Sequence, residues 1–299
     1  MSEKWTTNNI PDQSGRTVIV TGSNNGIGYE AAKTLAMKNA QVILAVRDLE
    51  KGAQAKNNIL KEFPQAQLQV MHLDLANLKT VDSFASEFSG SNSRLDLLIN
   101  NAGIMIPPYS KTEDGFESQM GTNHLGHFAL TAKLFDMLDS TPGSRIVNVS
   151  SGAHKMGNLN FDDLHWEDRR YIPWRAYGDS KISNLYFTFE LRRRIESSES
   201  RVLVAVAHPG YSATGLQKLA FLKFLNIIVA QSAAMGALPT LRAATAPEVR
   251  AGDYFGPDGV GEMRGFPEKV EAKELAHDEE IASKLWAVSE ELTGVTFKI

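Results

Sequence analysis

A short apolar run followed at once by a glycine-rich turn constrains the fold of this chain more than any other feature. Residues 17–21 read T-V-I-V-T, and this β-branched composition predicts a strand buried on both faces of a parallel sheet. The segment 22–28 has the spacing G-x-x-x-G-x-G, and a helical pattern follows it. Strand, glycine turn and helix in this order aim backbone N–H groups at a phosphate group. The pattern therefore favours a nucleotide site, although such a turn can also be purely structural.

Five further apolar runs predict the other strands of this sheet. They are residues 41–46, 68–72, 95–99, 145–149 and 202–207. Because helical patterns alternate with them, we predict an α/β fold: a single Rossmann-type doubly wound parallel sheet with helices on both faces. The carboxyl ends of such strands meet at one edge, where open α/β sheets bind ligands. Asp74–Leu75 and Asn100–Gly103 follow the third and fourth strands and would lie there.

The end of the second predicted strand bears on which dinucleotide would bind. Arg47 follows Val46, and at this place an arginine accommodates the 2′-phosphate of NADP, whereas an acid holds the ribose hydroxyl of NAD. NADP(H) is therefore favoured over NAD(H). Asp48 is the competing acid, but it also has a structural role as the predicted N-cap of a helix over 48–62.

A tyrosine and a lysine lie four residues apart in a segment predicted to be helical, from Trp174 to about Ser198. Positions i and i+4 share a face, so Tyr177 and Lys181 can point into the same space. A cation beside a phenol favours the phenolate, so Lys181 is predicted to lower the tyrosine pKa from about 10. Alone, the pattern Tyr-x-x-x-Lys is common, and a partly buried tyrosine beside a surface lysine is the alternative.

Taken together, the motifs resemble those of the short-chain dehydrogenase/reductase family from about Arg16 onward. The matching motifs are Thr21-Gly22-x-x-x-Gly26-Ile27-Gly28, Asp74, Asn100-Asn101-Ala102-Gly103, Asn123, Ser150-Ser151, Tyr177-x-x-x-Lys181 and Pro209-Gly210. Segments 45–48, 122–128 and 208–211 are most similar to the retinol-dehydrogenase-like branch. The resemblance implies one domain over 1–299, with a cofactor-binding and catalytic core in 14–210 and a substrate lid and C-terminal elements in 211–299.

The resemblance also implies a role for individual residues. Ser151 would hydrogen-bond the substrate oxygen, Tyr177 would transfer the proton, and Lys181 would lower the tyrosine pKa and bind the nicotinamide ribose. Asn123 would hold a water that passes protons to the lysine. The residues implied to bind the cofactor, besides Tyr177 and Lys181, are Gly22, Asn24, Asn25, Gly26, Ile27, Gly28, Arg47, Asp74, Leu75, Asn101, Ala102, Gly103, Pro209, Gly210 and Thr214.

Two segments near the expected site have open interpretations. Residues 152–175 form a long insertion that either borders the substrate pocket or is a surface loop packed by its own aromatic residues. Residues 215–230 are strongly apolar and predict a core helix, with surplus apolar side chains such as Phe221 and Phe224 that favour a lid. The lid interpretation predicts an apolar aldehyde, ketone or alcohol as substrate, and replacing both phenylalanines by alanine should then raise KM.

Composition limits the other possibilities. A net charge of −4 gives no electrostatic reason to expect nucleic acid, and the absence of cysteine excludes disulfides and thiolate catalysis. No metal site is predicted, because His124 and His127 lack a third ligand and are better explained by helix packing or hydrogen bonding. The absence of a signal or a membrane span predicts a cytoplasmic protein. The helix of Lys181 is apolar on more than one side, which predicts a homodimer or homotetramer.

Two alternatives to an alcohol–carbonyl oxidoreductase stay open at this point. A nucleotide-binding sensor or scaffold could keep the fold without turnover, because a fold does not guarantee a function. A light-driven enzyme similar to protochlorophyllide reductase would share the fold and the Tyr/Lys pair. The second is disfavoured because that group uses cysteine near its pigment, and this chain has none.

Overall fold

A computed structural model describes residues 4–211 and 231–299 and contains an eight-stranded sheet with the order β3-β2-β1-β4-β5-β6-β7-β8. The strands are β1 (Thr17–Thr21), β2 (Gln41–Val46), β3 (Gln67–His72), β4 (Leu97–Asn100), β5 (Arg145–Val149), β6 (Leu203–Ala207), β7 (Tyr254–Pro257) and β8 (Pro267–Lys269). Strands β1 to β7 pair in parallel, and β8 runs antiparallel to β7. The strand order reverses beside β1, as in Rossmann-type folds, so the predicted fold is confirmed.

Helices lie on both faces of the sheet. They are α1 (Gly26–Met37), α2 (Leu49–Glu62), α3 (Leu78–Ser91), α4 (Ser118–Met120), α5 (Gly126–Ser140), α6 (Pro173–Glu196), α7 (Ala233–Thr245) and α8 (Glu279–Thr293). A π-helical turn, Gly121–Leu125, joins α4 to α5. Over the two described ranges, none of these helices combines the length and the apolar character needed to cross a membrane.

Alternate residues of the central strand β1 face opposite layers, as the two-residue period of a strand requires. Val18 and Val20 pack in the cluster that contains residues of α1 and α7. Ile19 packs in the cluster formed by α3, α5, α6 and α8. All five residues of β1 are buried, which explains why its sequence is a continuous apolar run rather than an alternating one.

The observed strands differ from the predicted ones in two places: the start of the fourth strand, and the two additional strands at the sheet edge. Strand β4 begins at Leu97 rather than Leu95, because the Leu95 N–H bonds the side chain of Thr141 instead of a neighbouring strand. Strands β7 and β8 were not predicted. Their sequences, Y-F-G-P and P-E-K, contain the proline and glycine that normally weaken a strand pattern and are tolerated at a sheet edge.

The premise of the oligomer prediction is wrong, because the chain itself covers the apolar surface of α6. Ile182, Leu185 and Tyr186 are buried with Leu285 of α8. On the neighbouring side of α6, the ring of Phe187 lies 5.9 Å from that of Trp286, also on α8. The surplus apolar residues of α6 therefore contact the C-terminal helix, and a homodimer or homotetramer stays an untested prediction without this support.

Candidate active site

The glycine turn after β1 packs closely against the segment that follows β4. Gly22 has φ +67°, and a Cβ added to it would lie 2.9 Å from the Cα of Ala102. A Cβ on Gly28 would lie 2.4 Å from the Asn101 amide nitrogen and 2.6 Å from the Gly22 carbonyl oxygen. Glycine is thus required here by internal packing, in addition to any approach of a ligand.

The start of α1 leaves backbone donors available at this turn. Asn25 is the N-cap residue and is exposed, and its side chain makes no capping hydrogen bond. Gly26 begins the helix with φ +57°, and Asn24 and Ile27 are partly exposed beside it. A helix N-terminus whose N–H groups lack a side-chain cap suits a phosphate, so these residues fit a dinucleotide.

Arg47 and Asp48 differ in whether their charged groups have partners within the described part of the protein. Asp48 accepts the backbone N–H of Lys51 at 3.0 Å as the N-cap of α2, and it pairs with the Lys51 ammonium at 2.6 Å. The capping prediction for Asp48 is therefore confirmed. Arg47 follows β2, is exposed, and has no ion-pair partner among residues 4–211 and 231–299.

The segments after β3 and β4 are held by hydrogen bonds within the protein. The Asp74 carboxylate accepts the Ala76 N–H at 3.0 Å. Asn101 donates its side-chain N–H to the Thr21 carbonyl at 2.8 Å, and the backbone N–H groups of Asn101 and Ala102 donate to the Thr21 hydroxyl, each at 2.9 Å. These bonds fix the end of β4 against the end of β1. A role for these residues and for Leu75 in binding the cofactor stays a prediction.

Ser151, Tyr177 and Lys181 meet at the carboxyl end of β5. The Tyr177 hydroxyl lies close enough to Ser151 for the serine side chain to lower the tyrosine pKa. The Lys181 ammonium donates to the Val149 carbonyl at 3.2 Å and lies 5.8 Å from the centre of the Tyr177 ring. The predicted spacing of i and i+4 on one helix therefore does place phenol and amine on the same side of α6.

The predicted lowering of the tyrosine pKa is wrong in this structure. Burial raises the pKa of Tyr177 to about 12, and the nearby Ser151 side chain only partly offsets this rise. Burial also lowers the pKa of Lys181 to about 8, because the charged ammonium is poorly solvated there. The sequence indicates that the two side chains share a helix face, but it does not reveal how deeply the phenol is buried.

Asn123 lies in the π-helical turn between α4 and α5, close to Lys181. Its amide donates to the Ile104 carbonyl at 3.0 Å and to the Ser180 hydroxyl at 2.9 Å, and its oxygen accepts the Ile104 N–H at 2.8 Å. A Cβ on Gly103 would lie 3.1 Å from the Asn123 oxygen and 3.4 Å from the Lys181 ammonium. Two of the predicted catalytic residues, Asn123 and Lys181, thus lie beside Gly103, and Asn123 belongs to a type of turn that is frequent at functional sites.

Two buried histidines lie in this turn and just after it. His127 lies between the Asn123 carbonyl, at 3.0 Å, and the Thr21 hydroxyl, at 2.9 Å. His124 lies 2.9 Å from the Ser289 hydroxyl. Burial lowers the pKa of His127 to about 4 and that of His124 to about 3, so both rings are neutral. Their interpretation as hydrogen-bonding and packing residues is confirmed.

The insertion 152–175 is packed by its own aromatic residues and also borders the candidate site. The guanidinium of Arg169 lies 3.6 Å from the centre of the Trp166 ring, and the Tyr171 hydroxyl donates to the buried Glu117 at 2.9 Å. Gly157 lies so close to Gly178 that a Cβ on it would be 2.5 Å from the Gly178 carbonyl oxygen. The two interpretations of this insertion are therefore compatible.

Some predicted residues lie beyond what the structure describes, and others were missed. Thr214, Phe221 and Phe224 lie outside the described residues, whereas Pro209 and Gly210 follow β6 at the same edge as the other candidates. Sequence reasoning missed Glu262, which lies 2.8 Å from His208. The histidine next to Pro209–Gly210 was a signal for that contact, but nothing in the sequence pointed to its acidic partner.

Asp179 is a buried carboxyl group on α6, between Tyr177 and Lys181. It is 4% exposed, and burial raises its pKa to about 6. The N–H of Asn158, at 2.9 Å, and the guanidinium of Arg169, at 3.9 Å, oppose this rise. Because the folded pKa lies above the unfolded value of 3.8, the folded protein binds this proton more tightly, and stability falls as the pH rises from about 4 to about 6.

We therefore expect Asp179→Asn to raise the free energy of unfolding at pH 7 by about 1–3 kcal/mol. The amide keeps an oxygen that can accept the Asn158 N–H and needs no burial of charge. Urea denaturation at pH 7 and at pH 4 measures the effect, and the gain should nearly vanish at the lower pH. A loss of stability at pH 7, or an equal gain at both values, would contradict the burial explanation.

Comparison with known protein families agrees with this arrangement. Residues 16–223 match the family described as short chain dehydrogenase. Human retinol dehydrogenase 13 is 42% identical over 293 residues, which cover 94% of this chain and 85% of that protein. Human retinol dehydrogenase 14 is 40% identical over 304 residues, covering 94% of this chain and 87% of that protein.

Solved structures show the same relationship. A crystal structure of an uncharacterized protein from Mycobacterium paratuberculosis has a TM-score of 0.85 and 42% identity, covering 99% of this chain and 100% of that chain. A short chain dehydrogenase from Escherichia coli CFT073, solved in complex with NADPH, has a TM-score of 0.55 and 28% identity, covering 67% of this chain and 79% of that chain.

Proposed function

This chain belongs to the short chain dehydrogenase family, in its retinol-dehydrogenase-like branch, and from this premise we propose that it interconverts an apolar carbonyl compound and its alcohol with NADP(H). Members of this family are alcohol–carbonyl oxidoreductases that use a nicotinamide cofactor. The observation that carries the proposal is that Ser151, Tyr177 and Lys181 lie together at the same sheet edge as the glycine turn. Three statements go beyond family membership and are proposals: the preference for NADP, the apolar substrate and the roles of the individual catalytic residues.

In the proposed mechanism, the protein's residues orient the substrate oxygen and move one proton. The dihydronicotinamide supplies the hydride when bound. Ser151 would donate a hydrogen bond to the substrate oxygen, and Tyr177 would give its phenolic proton to the same oxygen as the alcohol forms. Lys181 would stabilise the resulting phenolate, which would regain a proton from solvent through Lys181 and a water held by Asn123. In oxidation Tyr177 would accept the proton instead, and acid–base assistance of this kind contributes about 10²–10⁴-fold.

The raised pKa of Tyr177 predicts different pH dependences for the two directions. Reduction needs the protonated phenol, and a pKa of about 12 keeps it protonated from pH 6 to pH 9. Oxidation needs the phenolate, whose fraction rises about tenfold per pH unit below the pKa. We expect kcat for alcohol oxidation to rise steeply from pH 6 to about pH 8, where Lys181 begins to lose its charge, with kcat for reduction nearly flat over the same range. Initial rates in both directions test this, and an oxidation rate independent of pH would contradict it.

The NADP preference is supported by the two residues that follow β2. Arg47 is exposed and has a guanidinium that can pair with a 2′-phosphate, whereas the carboxylate of Asp48 already caps α2 and pairs with Lys51. Because the Asp48 carboxylate already has these hydrogen-bond and ion-pair partners, it is a poor partner for the ribose hydroxyl of NAD. The arrangement therefore favours the dinucleotide with the extra phosphate.

The apolar substrate is supported by the names of the relatives and by side chains near Tyr177. The relatives are called retinol dehydrogenases, and retinol is an apolar alcohol. Trp174, one helical turn before Tyr177, is 45% exposed, and Met156, next to Gly178, is 49% exposed. Large apolar side chains left exposed beside a site can bury an apolar substrate. Phe221 and Phe224 remain candidate lid residues in the segment that the structure does not describe.

Replacing Trp174 by alanine should raise KM for a long apolar aldehyde about tenfold, because the indole would no longer cover part of the aldehyde's hydrocarbon tail. KM for a short aldehyde such as propanal should stay unchanged, since that substrate does not reach the indole. Steady-state kinetics with both aldehydes give the comparison. Leu49→Ala is a matched control, because Leu49 is also half exposed but begins α2. Equal changes for the two aldehydes would argue against contact with the substrate.

A panel of carbonyl compounds tests the proposed function directly. Purified protein is mixed with NADPH and with retinal, medium-chain aldehydes or ketones, and the loss of dihydronicotinamide absorbance is followed. The proposal predicts turnover with at least one apolar carbonyl compound and a higher kcat/KM with NADPH than with NADH. Tight binding of NADPH without turnover of any member would favour a sensor or scaffold instead.

A further inference from the structure

A buried histidine links the turn after β6 to the loop between β7 and β8. His208 is 1% exposed, and its Nδ1 accepts the Gly210 N–H at 3.2 Å. Its Nε2 lies 2.8 Å from a carboxylate oxygen of Glu262. Because Nδ1 acts as an acceptor, Nε2 carries the proton and donates to the carboxylate. The imidazole ring thus joins the Glu262 side chain to the backbone of the Pro209–Gly210 turn.

Glu262 also contacts a second loop at the candidate site. Its other carboxylate oxygen lies 3.2 Å from the Lys155 ammonium, in the short helical turn Gly152–Met156 that follows Ser151. The hydrogen bond with His208 and that with Lys155 lower the pKa of Glu262 to about 2, so the side chain is ionised at neutral pH. One carboxylate therefore holds two loops that arise from the neighbouring strands β5 and β6.

The backbone around Glu262 is adapted to this contact. Glu262 has φ +57°, a conformation that side chains other than glycine rarely adopt and that the surrounding contacts must maintain. A Cβ on Gly256 would lie 2.2 Å from Nε2 of His208, so only glycine leaves room for the imidazole ring. The Met263 carbonyl, one residue further on, accepts the N–H of Tyr211 at 2.7 Å.

The contact lies where the nicotinamide end of the cofactor would be. The Pro209–Gly210 turn follows β6, and Ser151, which lies near Tyr177, follows the adjacent strand β5. The glycine turn after β1, proposed to hold the phosphates, lies three strands from β6, across β4 and β5. Movement of the turn would therefore alter the nicotinamide end of the site and leave the adenosine end intact.

We propose that Glu262 is a positioning residue that, through His208 and Lys155, fixes the Pro209–Gly210 turn against the Ser151 loop and so determines how the nicotinamide end of the dinucleotide is held. This inference rests on the proposed NADP(H) function and deepens it. Glu262 does not touch the reacting atoms. Its contribution comes from His208 more than from Lys155, because the lysine pair is half exposed and such pairs contribute little.

Two ligands separate this effect from a general loss of structure. NADPH occupies both ends of the site, whereas adenosine 2′,5′-bisphosphate lacks the nicotinamide half. Glu262→Ala removes the carboxylate but keeps the unfavourable backbone conformation, and Glu262→Gly removes the carboxylate and relieves that conformation. Glu262→Gln keeps an oxygen that can accept from His208. Glu268→Gln, an exposed glutamate on β8, is the matched control.

Dissociation constants measured by calorimetry for the parent and the four variants test the inference. We expect Kd for NADPH to rise about tenfold in the alanine and glycine variants, and less in the glutamine variant at position 262, with Kd for adenosine 2′,5′-bisphosphate unchanged throughout. The control should match the parent with both ligands. Equal weakening of both ligands, or no weakening of NADPH in the alanine and glycine variants, would overturn the positioning role. If the parent bound neither ligand, the proposed function itself would fail, a result distinct from the other two.

Discussion

Replacing Tyr177 by phenylalanine is expected to lower kcat for carbonyl reduction by about 10²–10⁴-fold while leaving Kd for NADPH unchanged. The substitution removes only the phenolic hydroxyl, which lies near Ser151 and is the proposed proton donor. Phenylalanine keeps the buried ring, so packing around α6 should be preserved. Single-turnover oxidation of bound NADPH by the best aldehyde of the panel measures the loss.

The matched control for this prediction lies on the same helix. Tyr186 is also buried on α6, but it packs against Leu285 and Tyr254 rather than at the carboxyl end of β5. Tyr186→Phe should therefore retain nearly the full rate. Equal rates in the parent and Tyr177→Phe would exclude the phenol from the chemistry and would leave the sensor interpretation as the better one.

Replacing Arg47 by alanine should raise KM for NADPH by about 10–100-fold, because charge-assisted hydrogen bonds to a phosphate contribute about 1.5–3 kcal/mol. KM for NADH should change little, because that cofactor has no 2′-phosphate. Steady-state kinetics with both cofactors measure the ratio. Adding Asp48→Ala would not be informative here, because it removes the N-cap of α2.

Lys51 provides the control for a general effect of positive charge. It is exposed on the first turn of α2 and pairs with Asp48, so Lys51→Ala removes a charge close to Arg47 without removing the guanidinium. Its KM for NADPH should stay within a few-fold of the parent value. If Arg47→Ala raised KM for the two cofactors equally, or for neither, the NADP preference would lose its structural basis.

The central part of the fold was predictable because its signals are local. Strand β1, the glycine turn and α1 follow one another within 17–37, and each is encoded by a run of β-branched residues, glycines or helical spacing. The spacing of Tyr177 and Lys181 likewise follows from a single helix. Features of this kind depend on neighbours in sequence, which a reader of the sequence can see.

The parts that were missed depend on contacts between distant segments. The pKa of Tyr177 rises because the fold buries it, and the apolar surface of α6 is covered by α8, about a hundred residues further along the chain. Glu262 meets His208 across 54 residues and adopts a backbone conformation that its residue type does not suggest. Burial and long-range pairing of this sort are tertiary effects, and local patterns do not reveal them.

Transfer of deuterium from NADPH labelled at the nicotinamide C4 position tests the central claim most directly. Protein, labelled cofactor and an apolar aldehyde such as retinal are mixed, and the alcohol product is analysed by mass spectrometry. We predict an alcohol that carries one deuterium with the parent protein and almost no product with Tyr177→Phe. If the parent protein binds NADPH but every carbonyl compound of the panel is recovered unchanged, the proposed oxidoreductase activity is contradicted.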